Sequence, residues 1–240
     1  IVLLAIFFRF WHITEIPPGL YPDEAMNGNN AAEALETGNF RVFYTENNGR
    51  EGLFINLQAI SLWLFGHEPW VLRVVSALFG VLAVWGIYLV AKELFFEQDS
   101  QTQKSKLTSA SIALWSSFFL ATSYWHINFS RVGFRAIMVP FVATCALYFL
   151  LKAFRTGSHI SMLGAGIFTS LGLYTYISFR FMPFVLVLPV GWYLWQWLKH
   201  REKQTGCVPC LIVFFLFISL TVATPLFMYF LDHPEDILGR

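Results

Sequence analysis

Two adjacent acids, Asp23 and Glu24, follow Pro22 at the opening of a helical pattern, and their pairing is the first hint of chemistry in the chain. Acids in a first helical turn serve as caps and suit the positive end of the helix dipole. The same carboxylates beside a lipid–water boundary can act as a general base, because desolvation raises a carboxyl pKa toward the working range. The dipeptide alone leaves both readings open. Five arginines form a second set: Arg50, Arg73, Arg131 and Arg135 (the last two in SRVGFRA), and Arg180 in YTYISFRFMP. Any one of them could be a snorkelling anchor. Lysine would serve an anchor equally well, yet every one is arginine, whose rigid fork matches phosphate oxygens bidentately. Ionisable groups at membrane depth default to function, so phosphate binding is the favoured expectation.

Other candidates are weaker. Tyr174 and Tyr176, with Trp125 and His126, could stack on a sugar or hold a headgroup, although aromatic residues also line membrane interfaces for purely structural reasons. No HExxH or similar spacing supports a metal. A divalent metal is possible, with Glu51 and His233 as the expected pair, and the sequence specifies no other cofactor. Cys207 and Cys210 form a lone CxxC without the second pair or context that redox or zinc chemistry needs.

The elements that must position these residues follow from composition. Of 240 residues, 56% are hydrophobic and only 13% charged, with a mean hydropathy of +0.56. Soluble domains carry about 25% charged residues. Disorder is excluded by the same figures, and a net charge of +1 argues against a nucleic-acid partner. Three cysteines make no disulfide framework. The expectation is an all-α integral membrane protein.

Charge-poor windows at 74–91, 107–130, 136–151, 156–179, 181–198 and 204–231 reach or approach span length. With a shorter first segment at 1–13, they predict about seven transmembrane helices in one module, with a second outer loop starting at 232–240. The opening at Ile1 and the close at Arg240 suggest part of a longer chain, and nothing in the opening resembles a cleavable signal. The window 52–67, holding Asn56, Gln58 and Ser61, is assigned to the interface. Loops then alternate, with Lys92, Lys104, Lys106, Lys152, Arg155, Lys199, Arg201 and Lys203 on one side. Arg9, Arg41, Arg50, Arg73, Arg131, Arg135, Arg180 and Arg240 fall on the other. The Lys+Arg count ties, but all lysines share a side, which is placed in the cytoplasm. The long connection 15–69 is therefore extracytoplasmic. In it, Ala25, Gly28, Ala32 and Leu35 at 3-4-3 spacing predict an amphipathic helix stopped by Gly38, lying on the membrane. The segment 97–106 (EQDSQTQKSK) reads as a polar loop.

Five stretches carry a family resemblance: GLYPDEAMNGNNAAEAL, NNGREGLFINLQAISLWLFG, PWVLRVVSALFGVLAVWGIYLVAKELF, NFSRVGFRAIMVPF and GLYTYISFRFMPF. In their order and placement the chain resembles the membrane half of GT-C glycosyltransferases that use polyprenyl-phosphate sugars. It is most similar to the protein O-mannosyltransferases and the aminoarabinose transferase acting on lipid A. The resemblance implies a multi-pass protein of a prokaryotic plasma membrane, with its active site on the extracytoplasmic side. It implies a sugar moved from a polyprenyl-phosphate donor to a hydroxyl of a protein, lipid or glycan acceptor, with inversion. The acid of the first loop that acts on the acceptor falls on Asp23, with Glu24 beside it. A basic contact to the lipid phosphate falls on Arg50, where the aminoarabinose branch has lysine in EKPPL. Here the run is GREGL, which lacks both prolines and the preceding acid. The arginine after the surface segment corresponds to Arg73. Two other classes remain: a transporter or flippase for a polyprenyl-linked or anionic solute, and a non-catalytic subunit of a glycosylation complex. A transporter would predict broken half-helices and inverted repeats, and neither is visible in the sequence.

Overall fold

In lipid the backbone must satisfy its own polar groups, which leaves helix as the natural outcome for each apolar window. The computed structural model describes residues 1–96, 103–199 and 207–238. It opens with α1 (Val2–Phe10), followed by α2 (Pro22–Thr37), which starts on proline and ends on the left-handed Gly38. A short hairpin of β1 (Phe43–Tyr44) and β2 (Arg50–Glu51) leads into α3 (Gly52–Phe65). Then come α4 (Pro69–Leu94), α5 (Gln103–Thr122) and α6 (Tyr124–Arg131). A 3-10 turn at Arg135–Ile137 introduces α7 (Met138–Thr156), and α8 (His159–Leu173) follows. A second 3-10 turn, Ile177–Phe181, precedes α9 (Met182–Lys199), then α10 (Val208–Asp232) and α11 (Glu235–Leu238).

The central helix is α4, against which α1, α3, α5, α6 and α7 all pack. The bundle continues from α7 to α8 and from α8 to α10. Small residues Ala77, Gly80, Ala83 and Gly86 along α4 permit close approach, the usual basis of helix association in membranes. One apolar core, including Leu150, Met162, Leu186 and Phe215, joins α7 to α10. Another, including Ala31, Tyr44, Ile55 and Leu72, ties α2 and the hairpin to α3 and α4.

The hairpin is antiparallel, with Phe43 opposite Glu51 and Tyr44 opposite Arg50. Its turn runs through Asn47, Asn48 and Gly49, all at positive φ, which Asn and Gly tolerate best. Successive strand residues point to opposite faces, so Arg50 and Glu51 serve different clusters. Gly52 is required by close packing: its N–H donates to the Val42 carbonyl at 2.8 Å, and a Cβ there would collide with the Arg41 carbonyl oxygen.

The chain is an all-α membrane protein apart from this hairpin. Among the described residues, four helical stretches are long and apolar enough to cross a membrane: Pro69–Leu94, Arg135–Thr156, Ile177–Lys199 and Val208–Asp232. Some expected windows differ in detail. The window 107–130 is divided at Ser123 into α5 and α6, and 156–179 closes its helix at Leu173. At 52–67, α3 buries Phe54, Ile55 and Gln58 and exposes Trp63, Leu64 and Phe65. The buried stripe of α2 is also not the expected one. Glu24, Asn27, Asn30, Ala31 and Ala34 face inward, while Ala25, Gly28, Ala32 and Leu35 are half-buried on its flank. The polar stripe turns inward because buried arginines lie opposite it, as described below. Of the expected loop 97–106, residues 97–102 lie outside the described residues, and α5 starts at Gln103. Arg201, Lys203 and Arg240 also lie outside them. The CxxC pair, Cys207 and Cys210, forms a disulfide at the start of α10.

Candidate active site

The start of α2 brings two carboxylates to the same end of the bundle in different surroundings. Asp23 is partly exposed, and its Oδ1 accepts from Asn47 Nδ2 at 2.8 Å. Glu24 is 1% exposed. Its Oε1 accepts from Arg73 Nε at 2.7 Å and from the Gly133 N–H at 3.1 Å. Its Oε2 accepts from the Tyr21 N–H at 3.2 Å, satisfying one of the orphan donors of the helix start. Arg73 also donates to the Pro17 carbonyl at 2.6 Å and to the Gly19 carbonyl. Glu24 and Arg73 therefore lock the loop preceding α2 to α4 and to the α6–α7 connection.

Arg50 and Arg131 are similarly engaged. Arg50 is buried and donates to the Asn27 side-chain oxygen at 2.6 Å, to that of Asn30, and to the Glu46 carbonyl at 3.2 Å. Burial lowers its pKa from the ordinary arginine value, opposed by the nearby carboxylates of Glu46 and Asp23. Arg131 reaches from α6 to the carbonyls of Phe8, Trp11 and Ile16 at 3.0, 2.7 and 2.9 Å, holding the exit from α1.

Arg135 and Arg180 converge on one acid. Glu51 is 0% exposed, with Arg135 Nη1 at 3.3 Å from its Oε2 and Arg180 Nη2 at 3.5 Å from its Oε1. The Arg135 guanidinium lies 5.2 Å from the centre of the Tyr176 ring, and that of Arg180 lies 5.4 Å from Phe230. Both arginines sit on 3-10 turns, whose tighter winding interrupts the apolar helices at this end. The Arg180 side chain is 33% exposed, yet its Nη2 is buried without a hydrogen-bond acceptor among the described residues.

Tyr174 has a structural role beside this cluster. Its hydroxyl donates to the Val222 carbonyl at 2.8 Å and accepts from the Leu226 N–H at 3.3 Å. It thus stands inside the α10 ladder next to Pro225, where an interior proline disturbs the helix. His126 is apart from the arginine pair: its Nδ1 lies 2.8 Å from Arg9 Nη2. Arg9 is buried and donates to the carbonyls of Ala121 at 3.2 Å and Leu120 at 3.4 Å, capping α5 where it breaks.

Glu51 and His233 are not arranged as a metal pair. Glu51 faces guanidinium groups on both oxygens, and His233 stacks on Tyr229 at 4.6 Å. Among the described residues no group of three or more His, Cys, Asp or Glu could hold one. Sequence reasoning missed Asn27 and Asn30 as partners of Arg50, and Glu51 as the acid between two arginines. The i, i+3 spacing of Glu24, Asn27 and Asn30 was the available signal.

Comparisons with known proteins give the fold from solved structures and the family from a sequence model. The crystal structure of ArnT from Cupriavidus metallidurans bound to undecaprenyl phosphate superposes with a TM-score of 0.68 at 16% identity. The apo form of ArnT from the same organism gives 0.68 at 17%. In both cases 98% of this chain is covered but only 41% of the other, so the chain spans less than half the length of those proteins. Identity this low establishes the GT-C-type fold alone. No curated protein matched the sequence. Residues 53–219 match the family described as dolichyl-phosphate-mannose-protein mannosyltransferase, which is more than half of the chain. The chain belongs to that family.

Proposed function

We infer that this chain is the membrane-embedded part of a glycosyltransferase that moves a sugar from a polyprenyl-phosphate donor to an acceptor hydroxyl at the extracytoplasmic face. The observation that carries this reading is the pair Arg135 and Arg180, converging from two turns at the end of the bundle where Asp23 lies. Arg180 presents a partly exposed guanidinium with an unsatisfied Nη2, the donor type suited to phosphate oxygens. The ArnT structure bound to undecaprenyl phosphate supports a lipid of that class. Arg50, Arg73 and Arg131 are each tied to several protein acceptors, so their part is to brace the site.

The reaction then follows from charge. The acceptor oxygen attacks the anomeric carbon, and its proton passes to the Asp23 carboxylate. The bond from the anomeric carbon to the phosphate oxygen breaks on the opposite face, with inversion, and its electron pair stays on the phosphate. Arg135 and Arg180 stabilise the negative charge that accumulates there, and preorganised donors of this kind are worth roughly 100- to 1,000-fold in rate. Glu24 holds Arg73 and the start of α2, thereby orienting Asp23. Purified full-length protein assayed with labelled donor lipid tests this. Asp23→Asn and Arg180→Ala should each lower transfer by at least about 100-fold. Full activity in Asp23→Asn removes the base, and full activity in Arg180→Ala removes the phosphate grip.

A further inference from the structure

We propose that Glu51 tempers the arginine grip so that it does not strongly favour the product lipid over the donor. The inference rests on the reading that Arg135 and Arg180 hold the donor phosphate, and it concerns a residue outside the transfer step. Each oxygen of the buried Glu51 carboxylate faces one of the two guanidiniums, at 3.3 and 3.5 Å. The backbone of Glu51 is fixed by its hairpin pairing with Phe43 and by the start of α3, and its carboxylate is held by the two guanidiniums. Tyr176 under Arg135 and Phe230 under Arg180 hold the guanidiniums by cation–π contact. A fixed negative charge therefore stands between the two positive ones.

The consequence lies in the charges of the lipids. The donor is a phosphodiester with one negative charge. The product is a phosphomonoester whose second pKa is about 6, so it carries nearly two at pH 8. A grip of two bare arginines would hold the product more tightly than the donor and slow its release. A carboxylate between them repels a phosphate in proportion to the charge on that phosphate, and so penalises the product more. Glu51 is on this account a positioning residue that also sets specificity between donor and product.

The test measures affinities of a short-chain polyprenyl phosphate and its methyl diester for the full-length protein at pH 8. Wild type should bind the two within about threefold of each other. Glu51→Gln should tighten the monoester by at least roughly tenfold more than the diester, since a unit charge at this range outweighs that factor. Glu51→Asp should keep the wild-type ratio. An equal shift of both lipids in Glu51→Gln overturns the inference and leaves the phosphate reading intact. A wild-type preference of tenfold or more for the monoester also overturns it, and that measurement decides the matter if Glu51→Gln does not fold. Failure of the wild type to bind either lipid overturns the phosphate reading itself and this inference with it.

Discussion

Replacing Glu24 by alanine removes the acceptor on which the α2 end is assembled. The carboxylate receives Arg73 Nε at 2.7 Å, the Gly133 N–H at 3.1 Å and the Tyr21 N–H at 3.2 Å. Breaking a buried ion pair by deleting one partner costs about 3–5 kcal/mol. A buried N–H left unpaired adds about 1–3 kcal/mol. These contributions do not sum fully, because Arg73 keeps the Pro17 and Gly19 carbonyls. A loss of roughly 4 kcal/mol is therefore expected. For a chain of this size it corresponds to a fall in Tm of about 8–16 °C, read by tryptophan fluorescence of the full-length protein in one detergent. The double variant Glu24→Ala with Arg73→Met is the sharper control. Removing both partners leaves no buried charge uncompensated, so it should recover at least about 2 kcal/mol relative to additivity. A single-variant loss below about 1 kcal/mol, or a double variant that is simply additive, refutes the assignment of Glu24 and Arg73 as a brace.

Two further substitutions probe neighbouring contacts. Gly133→Ala would place a Cβ at 2.9 Å from Glu24 Cγ and 3.1 Å from its Oε1, and should cost about 1–3 kcal/mol in the same unfolding assay. Tyr174→Phe removes the hydroxyl between Val222 and Leu226. It should lower stability by about 1–2 kcal/mol, and an unchanged Tm would show that α10 closes its own ladder.

Composition made much of the fold legible. The windows at 74–91, 136–151, 181–198 and 204–231 each fall within, or nearly within, a long apolar helical stretch, because charge scarcity over span length has few other outcomes. Helix breaks were harder to read. Residues 120–124 and 171–176 contain no charge, and the α5 break is stabilised by Arg9 from more than a hundred positions away. The face of α2 was misread for a physical reason. Periodicity selects apolar residues for the interior, whereas Glu24, Asn27 and Asn30 are buried to satisfy Arg73 and Arg50. The arginines show the same limit. By residue type all five are equivalent candidates for phosphate donors, and only tertiary partners separate Arg73, saturated by a carboxylate and carbonyls, from Arg180, whose Nη2 is ion-paired with Glu51 but makes no hydrogen bond among the described residues.

Arg9 has a consequence for biosynthesis. A cation at the centre of an isolated transmembrane helix costs about 2.5–3.5 kcal/mol at insertion, and less near a helix end such as the last turn of α1, where Arg9 lies. Two of the carbonyls that receive it belong to Leu120 and Ala121, 111 and 112 residues later in the chain. At ordinary translation speeds that separation is on the order of ten seconds. During that interval Arg9 has the Ala5 carbonyl of its own helix at 3.1 Å, and the α5 carbonyls can join it only once α5 has been made. The contact between the two helices is thus completed only after both have been made, far apart in time as they are.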